Sequence, residues 1–321
     1  MTLSSRTFGW LRDGLGNLRA AREIENFMAI GQVGHIFWYD PASGGADNSA
    51  TRHDDANSKL NNVIGLTVAG RGDVIVCMRG TETVTETVEF DVSGITLIPE
   101  TMGLNPSAMG EFNALLADTS FTDGPVATIT APCSIDGMGF VSRDTGSTYF
   151  SGAACLIGGL AGADNASPFG VVMSRCRFPK WGLSNRYGLA IDGGSDILID
   201  DCTFEGVTTN FVSGIYMQGA SQNIEIRWNR FTDCNYALTF GVFTGSAGDG
   251  PYLDFHHNTV IGENSKGINT NANNAVGINR NNWYNTDPGT TNTYDAQVST
   301  IESQLLICTG NHYKTENTGV S

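Results

Sequence analysis

Glu225 and Asp254 are the residues of this 321-residue chain whose types and spacing best suit chemistry. Each sits in the middle of an apolar triplet, Ile224-Glu225-Ile226 and Leu253-Asp254-Phe255, with Arg227 and His256 two positions further on. If the triplets are adjacent strands, their middle residues share one face. The carboxylates then stand about 5 Å apart, the separation at which a retaining glycosidase uses one as acid and the other as nucleophile. Acidic pairs on a solvated sheet face with no catalytic role look the same, and the residues alone leave both readings open.

Other chemistry-bearing residues are less organised. Trp228 and Trp283 suit either stacking on sugar rings or packing at an interface. Asp192, Asp196, Asp200 and Asp201 lack the D-x-D-x-D-G spacing that gathers oxygen ligands around calcium, and read as solvated turn carboxylates. His256-His257 does not read as a zinc pair, because neighbouring strand residues point to opposite faces, and His312 stands alone. No GxSxG, HExxH, phosphate-loop or dinucleotide fingerprint occurs. The expectation is no cofactor and no metal.

What must position Glu225 and Asp254 is a repeat. An apolar-x-apolar triplet, two turn residues, Asn or Cys, a spacer and a large apolar residue recur from Val171 onward. The Asn or Cys positions are read as Cys176, Cys202, Asn229, Asn258, Asn281 and Asn311, at steps of 26, 27, 29, 23 and 30 residues by subtraction. Such a period marks a solenoid, and the period-2 triplets make it a coil of parallel strands. Shorter strands at Gly188–Ile191, Gly214–Met217 and Lys266–Asn269 precede the main ones. At the bend, Asn is expected to take a left-handed conformation and to form an amide ladder with its neighbours, Cys176 and Cys202 filling the same column. The alignment puts Leu198, Glu225 and Asp254 in one outward column. Ser174, Asp200, Arg227, His256 and Asn279 form the next, and Arg175, Asp201, Trp228, His257 and Arg280 line the turn. Upstream, Cys133–Phe140 fits with Met138 at the Asn position and Ile95–Met102 fits loosely, with loop insertions near 105–125 and 144–168.

Before the rungs lies His35-Ile36-Phe37-Trp38-Tyr39-Asp40-Pro41, then Gly45 and Asp47, an expected helix over Ala56–Ala69, Gly72-Asp73-Val74-Ile75-Val76, and a strand near Glu86–Phe90. This order resembles the start of right-handed parallel β-helix proteins of the pectin-lyase-like superfamily, which carry an aromatic-rich "YVDP", G-x-D, a helix and "GDTI-V". The resemblance implies an all-β, right-handed parallel β-helix. Three parts follow: residues 1–30 as an N-terminal helical docking arm, 31–92 as cap strand, helix and first rung, and 93–321 as the β-helix. In the arm, Leu11, Leu15, Leu18, Ala21, Ile24 and Met28 recur at helical spacing. Interrupting charges such as Arg12, Asp13 and Glu23 make the arm unlike a cleaved secretory leader.

Composition narrows the partners. The formal charge of −15 argues against binding nucleic acid by phosphate neutralisation. No apolar run reaches membrane-spanning length. Seven scattered Cys form neither a disulfide framework nor a metal motif, so buried reduced thiols are expected. The superfamily holds polysaccharide-degrading enzymes, adhesins and bacteriophage tailspikes. Two readings stay open. In the first the chain is a structural protein of a bacteriophage particle, made in the host cytoplasm and exposed on capsid or tail. It would be a decoration protein, head spike or fibre component, a homotrimer docked to other virion proteins by its arm and facing host surface glycan. In the second it is a polysaccharide hydrolase or lyase using Glu225 and Asp254.

Overall fold

The structure, a computed structural model, describes residues 34–43, 45–100, 113–121, 124–142, 153–158, 168–179, 187–206, 213–240, 252–262, 266–270, 276–285, 296–298 and 305–313. The expected arm at 1–30 lies outside these. Every described strand pairing is parallel, collected in one sheet of 16 strands and one of 9. The larger sheet supplies two faces of the coil, because the long strands Tyr187–Asp200 and Ser213–Arg227 run continuously through a bend with a register shift between Asp192 and Gly194. The smaller sheet is the third face. Its strands include Arg177–Phe178, Thr203–Glu205, Arg230–Thr232, Thr259–Ile261 and Trp283–Asn285.

The rungs stack because their apolar residues recur in the same inward positions. Met173, Ile199, Ile226 and Phe255 follow one another in register, all buried. On the third face Phe140, Phe178, Phe204 and Phe231 form a stacked column with ring centroids 5.5, 4.6 and 4.8 Å apart. One core therefore runs from Phe37 to Tyr284. Gly214 shows how closely that column fits: a Cβ there would lie 2.6 Å from Phe231.

The N-terminal part is a cap built from the motif residues. Ile36–Tyr39 is the edge strand, pairing with Val74–Cys77. An open edge invites pairing with another chain, and here residues 50–57 cover it, with Trp38 N donating to Ala50 O at 2.7 Å and Asn57 N to Trp38 O at 3.1 Å. The helix is shorter than expected, Leu60–Leu66, because residues 56 and 57 are committed to that covering segment. It buries Leu60, Val63 and Ile64, the i, i+3, i+4 stripe that closes the core. Buried Glu82 accepts from Tyr39 Oη (2.9 Å) and Leu60 N (3.0 Å), tying strand to helix start. Asp73 of the Gly-Asp motif accepts from His35 N, Val68 N and Arg71. Burial works to raise its pKa, but the Arg71 pair and the two backbone donors outweigh it and hold the carboxyl below its ordinary range.

Both expected insertions contain strands. Asn113–Ala117 lies within 105–125 and pairs with Met138–Val141, and the wholly buried Ala153–Gly158 lies within 144–168 and pairs with the strand from Tyr187. Small residues in both segments disguised them as loops. Cys77, Cys133, Cys155, Cys176, Cys202 and Cys234 are buried and free. Burial pushes the Cys133 and Cys234 thiols up to about 12, which keeps them protonated and unreactive.

Candidate functional site

Glu225 and Asp254 stand opposite each other on the outer side of the second face, as the repeat demands. Their column continues from Val172 and Leu198 and runs on through Ile278 to Ile307. The next outward column is Ser174, Asp200, Arg227, His256 and Arg280. Arg280, expected at the turn, therefore belongs beside His256, where Asn279 had been expected. The reason is a glycine in the core: Gly277 rather than Val276 pairs with Leu253, which turns Asn279 inward opposite Phe255. There Asn279 Oδ1 accepts from Tyr284 Oη at 3.2 Å and Asn282 Nδ2 at 2.7 Å.

Asn282, not Asn281, consequently continues the ladder. Asn229, Asn258, Asn282 and Asn311 stack with Nδ2-to-Oδ1 distances of 3.0, 3.1 and 3.3 Å. Each Oδ1 also accepts the backbone N–H one rung earlier, and each Nδ2 also donates to a carbonyl such as Ile226 O. Cys202 imitates this, its thiol donating to Met173 O. Asn113 belongs to the same column, donating to Cys77 O at 3.0 Å, and the sequence alignment missed it because residues 101–112 are inserted before it. The left-handed residue is the one before the ladder position: Arg175, Asp201, Trp228, His257 and Asn281 have φ of +52 to +57°.

Around the acid pair the outer face is a network of ion pairs. Glu225 Oε1 accepts from Arg227 Nη1 at 2.9 Å and His256 Nε2 at 3.0 Å. Arg227 Nε also reaches Asp200 at 3.1 Å. Asp254 holds Arg280 through both oxygens, at 3.1 and 2.6 Å. Further along, Asp136 pairs with Arg175. Acids and bases are thus cross-paired along this face, and each carboxylate of the candidate pair is committed to a cation.

His256 and His257 converge instead of pointing apart, because His257 lies at the left-handed corner just beyond the strand Tyr252–His256. Their Nδ1 atoms are 2.7 Å apart, so one ring donates there while His256 Nε2–H serves Glu225. The His257 ring stacks on Trp228, centroids 4.5 Å apart and planes 21° off parallel. Among the described residues no group of three or more His, Cys, Asp or Glu is placed to hold a metal ion. Partial burial, then the neighbouring His256 and Arg280, hold the His257 pKa below its ordinary value. The folded state therefore prefers neutral His257, and this contribution is present above the ordinary imidazole range and lost as pH falls through it. Fluorescence of Trp228, isolated as the difference between the parent and Trp228→Phe, should titrate with a midpoint below 6.5 and stop titrating in His257→Gln. An unchanged titration in that variant would break the assignment.

Asp192 departs from expectation. It is half-buried, in register with Gln218 at the end of the first face, and burial raises its pKa. It is not a freely solvated turn carboxylate. Asp196, by contrast, is exposed and accepts from Asn223 on the next rung.

The stacked parallel rungs and the amide ladder define the class of protein, and comparison with known proteins agrees. A family model described as "Right handed beta helix region" matches residues 159–318. The chain is a right-handed parallel β-helix. Pectate lyase Pel9A is similar in fold, with a TM-score of 0.53 at 12% identity over 89% of this chain and 78% of that one. A pectin methylesterase from Aspergillus niger gives 0.55 at 12% identity over 83% and 85%. A Geobacillus virus E2 protein, ORF18, covers 92% of this chain and 65% of its own at 11% identity, and its TM-score of 0.38 supports no functional argument. No curated protein matches the sequence.

Proposed function

We propose that this β-helix is a structural protein of a bacteriophage particle, exposed on capsid or tail as a decoration protein, head spike or fibre component, and facing host surface glycan. One observation carries the structural part of the reading: Glu225 is held by Arg227 and His256, and Asp254 by Arg280. A nucleophile or proton donor at either position would first have to leave its pair. The network instead resembles a lateral surface of mutually paired charges. The particle, the homotrimer and the docking arm rest on the resemblance of residues 35–90 to β-helix proteins that include tailspikes. Mass spectrometry of purified particles should detect the chain at a copy number comparable to other structural components. Its absence there would end the reading.

The alternative, a polysaccharide hydrolase or lyase, is favoured by fold likeness to a pectate lyase and a pectin methylesterase. It makes the opposite prediction for the acid pair. On the structural reading, the double variant Glu225→Gln, Asp254→Asn leaves any glycan turnover unchanged and costs at most about 2 kcal/mol, since a partly exposed ion pair contributes about 0.2–1 kcal/mol. Oligosaccharide release by the parent chain that disappears in this folded variant would establish the enzyme instead.

A further inference from the structure

Glu225, His256, His257 and Trp228 form one row across two neighbouring rungs, and its geometry fixes where each ring proton lies. The Glu225 carboxylate can only accept, so His256 Nε2, 3.0 Å away, carries a hydrogen toward it. In the neutral ring His256 Nδ1 is then bare, and it accepts from His257 Nδ1 across 2.7 Å. His257 Nε2 is left as the basic nitrogen of the row. The charged groups facing the two rings are Glu225 and Arg227 from the rung before, Asp254 on the same strand and Arg280 from the rung after, with Asp200 behind Arg227. His256 thus stands between two arginines in its own column. It is 7% exposed at the end of a strand, whereas His257 is half-buried at the left-handed corner, where its ring covers one face of the Trp228 indole.

We infer that the histidine pair is an acid-operated latch: it holds the His257 ring over Trp228 while a single hydrogen occupies the gap between the two Nδ1 atoms, and releases that ring when both imidazoles are protonated. Counting hydrogens sets the limit. Two neutral rings place one hydrogen at Glu225 and one in the gap, and one added proton fits on His257 Nε2 with both bonds kept. A second must go to the remaining Nδ1, where two hydrogens would face each other across 2.7 Å. The bond breaks instead. His256 is buried, bonded to Glu225 and in register with Arg227 and Arg280, so His257 is the ring that turns away. Partial burial, then His256 and Arg280, push the His257 pKa down, which is the same preference of the closed form for fewer protons. The closed form therefore binds at most one added proton and the open form two. Closed is favoured above the imidazole range, and below about pH 6.5 the ratio of open to closed forms rises about tenfold for each pH unit, the linkage slope of one proton. Acid thereby bares the second face of an indole that is already 58% exposed at the corner of the coil.

The test uses the full chain and two readouts. Long-range proton–nitrogen spectra of the imidazoles at neutral pH should show a hydrogen on His256 Nε2 and none on His257 Nε2. Acrylamide quenching of Trp228, taken as the difference between the parent and Trp228→Phe, should be low at neutral pH. It should rise below about pH 6.5 with the tenfold step per pH unit, while far-UV circular dichroism stays constant. His256→Gln supplies an amide oxygen that accepts from His257 Nδ1 whatever the charge on His257 Nε2, so its quenching should keep the neutral value in acid. A rise at the same pH in that variant would assign the opening to Glu225, Asp254 or Asp200 losing charge, and overturns the latch. Parent quenching that is flat from neutral to acid pH also overturns it, as does a hydrogen on His257 Nε2 at neutral pH with none on His256 Nε2. The spectra and the parent quenching need no substitution at the buried His256, so the latch can be refuted even if His256→Gln fails to fold.

Discussion

Phe204→Ala is expected to destabilise the protein by about 4 kcal/mol, within the 3–5 range for removing a buried aromatic ring. Phe204 is wholly buried between Phe178 and Phe231, 4.6 and 4.8 Å away in a nearly parallel stack. Alanine would leave a cavity that its neighbours cannot close, because each is held in register by its own rung. In a solenoid, stability is close to a sum of nearest-neighbour terms, so the damage should also be local. Denaturant unfolding should shift to a lower midpoint and broaden or split, as the rungs on either side of residue 204 uncouple. A loss under about 1 kcal/mol with a single sharp transition would show that the aromatic column is not what couples the rungs. Phe204→Leu, which keeps most of the apolar volume, should recover more than half of the loss.

Asn258→Ala should cost about 3 kcal/mol by a different route. The Asn258 amide is buried and satisfied on both sides: Oδ1 accepts from Asn229 N and Nδ2, and Nδ2 donates to Ile226 O and Asn282 Oδ1. Alanine removes those bonds and also leaves the Asn229 N–H and the Ile226 carbonyl without partners, and each buried orphan costs about 1–3 kcal/mol. Asn258→Cys should cost less than Asn258→Ala, since Cys202 already shows a thiol donating to the corresponding carbonyl. Asn258→Asp keeps the acceptor but loses the donor, so it should fall between parent and alanine only at a pH where the acid is protonated. Denaturation midpoints for the three variants supply the order, and an alanine variant as stable as the parent would remove the ladder from the account of stability.

Much of this architecture is legible one rung at a time. Ile197-x-Ile199, Ile224-x-Ile226 and Leu253-x-Phe255 specify strands because the period of two has one apolar face, and a recurring Asn or Cys after each triplet specifies a coil. The alignment failed where a rung breaks the pattern from inside. Gly277 and Asn279 occupy inward positions normally filled by large aliphatics, so a pattern that looks for apolar residues starts on Val276 and puts Asn281 where Asn282 belongs. Asn113 was hidden for another reason: the distance from the preceding rung includes residues 101–112, and spacing carries no information across an insertion. The left-handed corner was displaced by one residue because Asn is the usual occupant of that conformation, whereas here Asn is retained for its amide and Trp228 and His257 take the strained backbone.

The sequence by itself determined the parallel β-helix, the cap built on Tyr39, Asp73 and the helix after residue 56, and the adjacency of Glu225 with Asp254. These follow from local periodicity and from hydrogen-bonding groups whose partners recur at fixed spacing. Only the tertiary structure decided what that adjacency means. Arg280 reaches Asp254, and His257 folds back onto His256 and Trp228, through side-chain directions set by a glycine in the core and a left-handed corner. Such directions depend on which rung lies above which, and no single stretch of chain contains that information.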